Sequence, residues 1–289
     1  MSRSSRTNRF AAIGATLIAS ALALSGCSSD SSADSASSSD DAAGRTVEEI
    51  QSAGTVRLGV FTDKAPFGSV DSDGNYVGYD IEYGERIAKD LGVEIEWVPV
   101  DASARVEYLQ SDKVDVILAN FTVTDERAEQ VDFADPYLQV SLGVASPVGS
   151  EITDESQLAD ANIIVVKGTT AETYVDENYP DANVTKYEQY TEATNALIDG
   201  RGDAWVTDNT EALAWTGSHD GFATGITKLG TPDTIAAAVQ KGNSSLLAWL
   251  NDELVTLNDE GFFLQDYQDT LLPVYGDDVD PEDLLISNN

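Results

Sequence analysis

The chain has 289 residues, 42% of them hydrophobic, enough to bury a large core in one domain or two. Its 51 acidic against 16 basic side chains give a formal charge of −35, which argues against nucleic acid and anionic membrane surfaces, since both need basic patches. A single cysteine, Cys27, and a single histidine, His219, exclude internal disulfides, multi-histidine metal sites and Cys–His nucleophile pairs, so no metal or cofactor is expected. His219 lies in the polar run Gly217-Ser218-His219-Asp220-Gly221 and reads as a solvated loop residue.

At the start of the chain, Arg3, Arg6 and Arg9 form a basic region ahead of fifteen mostly apolar residues, Phe10 to Leu24. That stretch is too short to span a bilayer comfortably and fits the apolar part of a signal peptide. The sequence Leu24-Ser25-Gly26-Cys27 resembles the lipobox of bacterial lipoproteins, which implies cleavage after residue 26, lipidation of Cys27 and anchoring to the membrane. Residues 28–44 hold eight serines, four aspartates, four alanines and a glycine, and read as a flexible tether, residues 27–44 with the cysteine. The expected body begins near Arg45, on the extracytoplasmic face of the cell membrane.

Within the body, Val56 to Phe61 reads as a strand and Val70 to Tyr79 as a hairpin turning on Asp73-Gly74. Asp80 is the expected cap of a helix with Ile81, Ile87, Ala88 and Leu91 on its apolar side, stopped by Gly92. Glu94 to Val100 alternates as a half-buried strand should, a helix runs from about Ala104 to Gln110, and Val114 to Ala119 is a strand ending at Asn120. The rhythm restarts after Tyr137. Ile163 to Val166 and Asp203 to Thr207 read as strands, Thr170 to Glu177 and Thr191 to Asp199 as helices, and Thr234 to Val239 as an apolar run back to the first lobe. Helices over Leu246–Leu257 and Phe262–Leu271 close the chain. The expectation is an α/β fold of two lobes, residues 45–137 with 237–289 and residues 141–232, hinged near 138–140 and 233–236.

In open α/β sheets, ligands collect at the carboxyl ends of strands, beside helix N-termini. Lys64, Arg105, Arg127 and Lys167 all fall on such loops although basic residues are scarce, which points to a concave site for an anionic group. Asp208, at a strand end, supplies the opposite charge, suited to an ammonium, or else caps the helix beginning near Thr210.

Three landmarks in matching order carry a wider resemblance: Gly78-Tyr79-Asp80-Ile81-Glu82; Leu118 to Arg127 followed by Asp132 to Tyr137; and Gly200 to Ala204 with Asp208. From about Val56 to Leu271 the chain is similar to the polar amino-acid substrate-binding proteins of ABC importers, the extracellular solute-binding proteins of family 3. The resemblance implies a two-lobed periplasmic-binding-protein fold of the two-crossover type that closes on its ligand and delivers it to a membrane permease with a cytoplasmic ATPase. It implies that Arg127 holds the ligand α-carboxylate, helped by Thr122 and by amides at Thr169 or Thr170. Asp208 then pairs with the α-ammonium, assisted by the Asn120 carbonyl. Relatives often carry an aromatic near position 102, where this chain has Ala102, and a glycine where Asn120 stands.

Lys64 and Arg105 resemble pocket residues of the aspartate/glutamate-binding and cysteine-binding branches, and several stretches look most similar to the cysteine-binding branch. The expected ligand is therefore cysteine, then aspartate or glutamate, bound by a monomer. Two rivals remain open at this point: a cleft enzyme of the dehydratase kind, for which no unassigned Glu is evident beside Arg127, and a sensor input domain. Asp71, Asp73, Asn75 and Glu82 mimic a calcium loop, but Tyr76 stands where that loop needs glycine. Tyr83, Trp97 and Trp215 read as packing residues, and Tyr190 as a core tyrosine or else a wall of the site on the second lobe.

Overall fold

A computed structural model describes residues 43–276 and 279–286. The signal segment, Cys27 and the tether as far as residue 42 lie outside the described residues. Packing begins slightly ahead of Arg45, because Ala43 and Gly44 are already half-buried.

Helix α1 (Val47–Ala53) is fixed by a reciprocal cap between Thr46 and Glu49 and leads into β1 (Thr55–Val60). Strands β2 (Asp63–Lys64), β3 (Gly68–Val70) and β4 (Tyr76–Val77) form a small antiparallel sheet. The Asp71 carboxylate accepts from the amides of Asp73 and Asn75, which shapes its turn. After α2 (Tyr79–Leu91) come β5 (Glu94–Pro99), α3 (Arg105–Gln110), β6 (Val116–Ile117), α4 (Asp125–Ala128) and β7 (Val131–Phe133).

The chain then builds a second sheet. Its elements are β8 (Leu138–Pro147), β9 (Asn162–Val166), α5 (Thr170–Asn178), β10 (Asn183–Tyr187), α6 (Tyr190–Ile198), β11 (Ala204–Asp208), α7 (Asn209–Ser218) and β12 (Phe222–Ile235). It returns through β13 (Ala238–Gln240) to the first sheet and ends in α8 (Ser244–Glu260), α9 (Phe262–Asp266) and α10 (Leu272–Tyr275), with a short turn of helix at Pro281–Leu284. The first sheet has the order β5-β1-β6-β13-β7 and the second β10-β9-β11-β8-β12. In each, three parallel strands are followed by one antiparallel strand, β13 or β8, and then by an edge strand, β7 or β12, that pairs antiparallel with it.

The two crossings between sheets run side by side. Leu138 pairs with Ile235, Gln139 with Thr234 and Val140 with Asp233 in antiparallel register. Leu246, Leu250, Leu254 and Leu257 of α8 are buried against the first sheet, each contributing about 1.5–3 kcal/mol by area burial. Tyr83 and Trp97 pack as expected. Tyr83 meets Phe263 edge-on at 5.2 Å, and Trp97 stacks on Tyr76 at 5.5 Å.

Asp80 does not cap α2. Gly78 takes the cap position with φ +130, and a Cβ there would lie 2.4 Å from the Phe67 carbonyl oxygen, so the helix starts earlier than the aspartate suggests. Asp80 is buried instead, accepting from the Asn120 amide at 2.7 Å and the Tyr137 hydroxyl at 2.6 Å. Burial raises its carboxyl to about 6, although both hydrogen bonds oppose the shift.

Candidate functional site

The carboxyl ends of the first sheet present three cations. Arg105 opens α3 and is 2% exposed. Its guanidinium donates to the carbonyls of Ala102, Ala119 and Asn120, and across to Gly168 at 2.9 Å. Arg127, on α4, donates to the Thr122 carbonyl at 2.7 Å and to the same Gly168 carbonyl at 2.8 Å. Gly168 belongs to the loop after β9, so one carbonyl of the second sheet is shared by two guanidinium groups of the first. The ring of Phe121 lies 4.4 Å from the Arg105 guanidinium carbon and 4.9 Å from that of Arg127. The Phe121 ring is itself buried, 1% exposed, beneath the two guanidinium groups. Burial, then the neighbouring charge of Arg127, lowers Arg105 to about 9. Burial also lowers Arg127, against the opposing pull of Asp208, Tyr190 and Asp233. A guanidinium has five N–H donors, and two of those on Arg127 are committed to carbonyls.

Lys64, from β2, is 1% exposed and reaches the second sheet. Its ammonium donates to Asp208 at 2.7 Å and to the Tyr190 hydroxyl at 3.1 Å, and lies 3.3 Å from Glu211. It also sits 4.5 Å above the Tyr190 ring. Burial alone would lower this lysine, but Asp208 and Glu211 outweigh it and hold it well above its ordinary value. Asp208 occupies the cap position of α7 without any side-chain cap hydrogen bond. The capping alternative is thereby removed, and the carboxylate is left for charged partners.

Asn120 has a left-handed backbone, φ +42, held by Asp80 on its amide and Arg105 on its carbonyl. Its side-chain amide is buried and has no hydrogen-bond partner among the described residues. Thr122 is buried beside the crossing and bridges to Ile235. Thr169 caps α5, accepting from the Glu172 amide and donating to the Val166 carbonyl, so its hydroxyl is used locally. Thr170 starts α5 and lines, with Arg127, Tyr174, Leu229 and Asp233, a cavity of about 410 Å³. A second cavity of about 270 Å³ lies between Phe121, Arg127, Gly168 and Thr169.

The structure thus brings Lys64, Arg105, Asn120, Thr122, Arg127, Thr169, Thr170 and Asp208 to the facing ends of two sheets. Lys167 does not join them. Its ammonium pairs with Glu188, and both side chains are largely exposed. Tyr190 is not simply a core tyrosine, because its hydroxyl meets Lys64. Sequence reasoning also missed Glu211, Phe121 and the Gly168 carbonyl. The spacing Asp208-Asn209-Thr210-Glu211 imitates a capping box, which hid Glu211 behind a local explanation.

The profile of the bacterial extracellular solute-binding proteins, family 3, matches residues 56–269. The ABC transporter glutamine-binding protein of Bacillus subtilis is 33% identical over 229 residues, 77% of this chain and 83% of that protein. Among solved structures, the solute receptor for L-cysteine of Neisseria gonorrhoeae superposes with a TM-score of 0.82 at 48% identity, covering 84% of this chain and 100% of that one. The cysteine-binding protein of Campylobacter jejuni gives a TM-score of 0.82 at 48% identity over 84% of this chain and 99% of that one.

Proposed function

The chain belongs to the bacterial extracellular solute-binding proteins of family 3, and from that membership we propose that it captures a polar amino acid, cysteine before aspartate or glutamate, for an ABC importer. The observation that carries this reading is the meeting of opposite charges from opposing sheets: Arg127 on one side, and on the other Asp208, whose charge reaches it. A zwitterion between them satisfies both. Its carboxylate meets the remaining Arg127 donors with Thr122 and the α5 amides at Thr169 and Thr170, and its ammonium meets Asp208 and the Asn120 carbonyl. Lys64 and Arg105 flank the side chain of the ligand. The likeness to two cysteine receptors supports cysteine first, and the likeness to a glutamine-binding protein makes glutamine the comparison to beat.

The lobes in this reading are residues 45–137 with 237–289 and residues 141–232, hinging near 138–140 and 233–236. A permease reads the closed form. A lipidated Cys27 and its tether keep the monomeric body beside that permease.

Calorimetry on the chain from Ser28 onward tests the proposal, with cysteine under reducing conditions and with cystine, aspartate, glutamate and glutamine. Cysteine is expected to bind at micromolar Kd or tighter, about −8 kcal/mol or better. Arg127→Ala is expected to weaken it by at least a hundredfold, about 2.7 kcal/mol. Ligand recovered from the complex should be chemically unchanged by NMR. Folded, ligand-stripped protein that binds none of the five overturns the assignment.

A further inference from the structure

Asp208 is given to the ligand ammonium in the reading above, yet it already receives the Lys64 ammonium at 2.7 Å. A buried lysine cannot be left without a counter-charge at small cost. The second carboxylate within reach of Lys64 is Glu211, 3.3 Å away and one helical turn beyond Asp208. Its Oε2 also accepts from the Thr207 hydroxyl. Without ligand ammonium, two carboxylates face one lysine; with it, two carboxylates face two ammonium groups and the cluster is neutral.

We propose that Glu211 is a positioning residue which takes over the Lys64 ammonium when Asp208 turns to the ligand, and that it gives up a proton in doing so. The inference rests on the amino-acid reading and adds a residue and a proton to it. The step balances simply. The Glu211 carboxyl O–H breaks, its electron pair stays on the carboxylate facing Lys64, and the proton passes to water.

The surroundings fit that exchange. Burial, partly offset by Lys64 and Thr207, raises Glu211 to about 7, so it is partly protonated in neutral solution. The other titratable groups facing it are Lys64 of β2, Asp208 of β11, Tyr190 of α6 and Tyr275 of α10. Tyr190 is pushed up to about 12 and Tyr275 is raised by burial, so both stay neutral through this range. A cavity of about 460 Å³ is lined by Glu211 and Tyr190 and also by exposed Thr191, Ile198 and Ser218, which gives the proton a route to solvent. Asp63 and His219 line the same cavity.

Calorimetry of cysteine binding in phosphate and in imidazole, which both buffer from pH 6 to 8 and differ in ionisation enthalpy, counts protons released by the full mature protein. About half a proton should leave at pH 7 and close to one at pH 6, with Kd rising about tenfold from pH 8 to pH 6. Glu211→Gln should flatten this pH profile and remove that release, whereas His219→Gln should leave both unchanged. Asp80, which titrates near the Asn120 amide, contributes equally to the wild type and to Glu211→Gln, so their difference isolates Glu211. Binding without proton release from the wild type, which needs no variant to fold, overturns the inference and leaves the amino-acid reading standing. Equal release from Glu211→Gln does the same. No binding of cysteine, cystine, aspartate, glutamate or glutamine to the folded wild type overturns both.

Discussion

At the scale of single residues, buried carboxyls set much of this protein's response to pH. Asp266 is the strongest case. It is 3% exposed, its Oδ1 accepts from the Thr270 hydroxyl, and its Oδ2 has no hydrogen-bond partner among the described residues. Burial pushes it up to about 9, with Glu82, Asp80 and Asp269 adding to the shift and Thr270 opposing it. In the unfolded chain an aspartate ionises near 4. Between those values the folded form holds a proton that the unfolded form has lost, so stability falls as pH rises from about 4 to 9. Asp266→Asn keeps an acceptor for Thr270 and never ionises. It should therefore be more stable than the wild type at pH 8, on the order of 3 kcal/mol after discounting for local relaxation, and equal to it near pH 4. Chemical denaturation of both proteins at the two pH values checks this. An unchanged difference across pH would show that Asp266 stays ionised in the fold.

At the scale of elements, the loop from β9 to α5 decides how closely the two sheets approach. Gly168 has φ +74, and a Cβ there would lie 2.4 Å from the Ser103 Cα and 2.6 Å from its nitrogen, on the opposite side of the cleft. Gly168→Ala should weaken cysteine binding by tenfold or more. Two causes combine: a left-handed alanine costs about 1 kcal/mol, and the methyl props the sheets apart where Arg105 and Arg127 share the carbonyl. Calorimetry reads the affinity, and small-angle scattering with ligand should show a larger radius of gyration than the wild type.

Such a loop also marks how far the sequence was legible. β9 with α5, and α6 with β11, were readable because those strands and helices keep their periods and short connections, whereas β10 between them, with burial only at alternate positions, went unread. Strands β8 and β12 were not readable either. β8 is buried along almost its whole length and lacks alternation, while β12 carries Gly225, Gly230 and Pro232 and pairs through three register shifts. At the site, Arg127, Arg105, Lys64 and Asp208 stood out because charge at a strand end is conspicuous. Glu211 did not, since it fits an ordinary place on its helix, and Tyr190 reads first as a core tyrosine and second as a wall of the site; only the fold puts Lys64 between them.

At the scale of the whole molecule, the formal charge of −35 on a single chain is a standing repulsion. Ion pairs such as Arg45 and Arg57 with Asp115, or Lys241 with Asp132, neutralise a few acids locally. The remainder interact over distances that salt shortens, since screening acts beyond about 10 Å at 0.1 M. The melting temperature should rise as NaCl is increased from 10 mM to 0.5 M, and scanning calorimetry without amino acid present would show it. A melting temperature indifferent to salt would mean that acid–acid repulsion is equal in the folded and unfolded chains.

The two crossings have a mechanical meaning as well. The described chain enters and leaves the second sheet through adjacent strands that are hydrogen-bonded to each other, Leu138 against Ile235. Everything between them is a detour, a loop of chain whose two ends are stitched together at its neck. A pull applied between the ends of the described chain is carried by the first sheet, and tension reaches the detour only after that stitch has torn. A pull along the first half of the molecule therefore leaves the covalent chain of the second half slack.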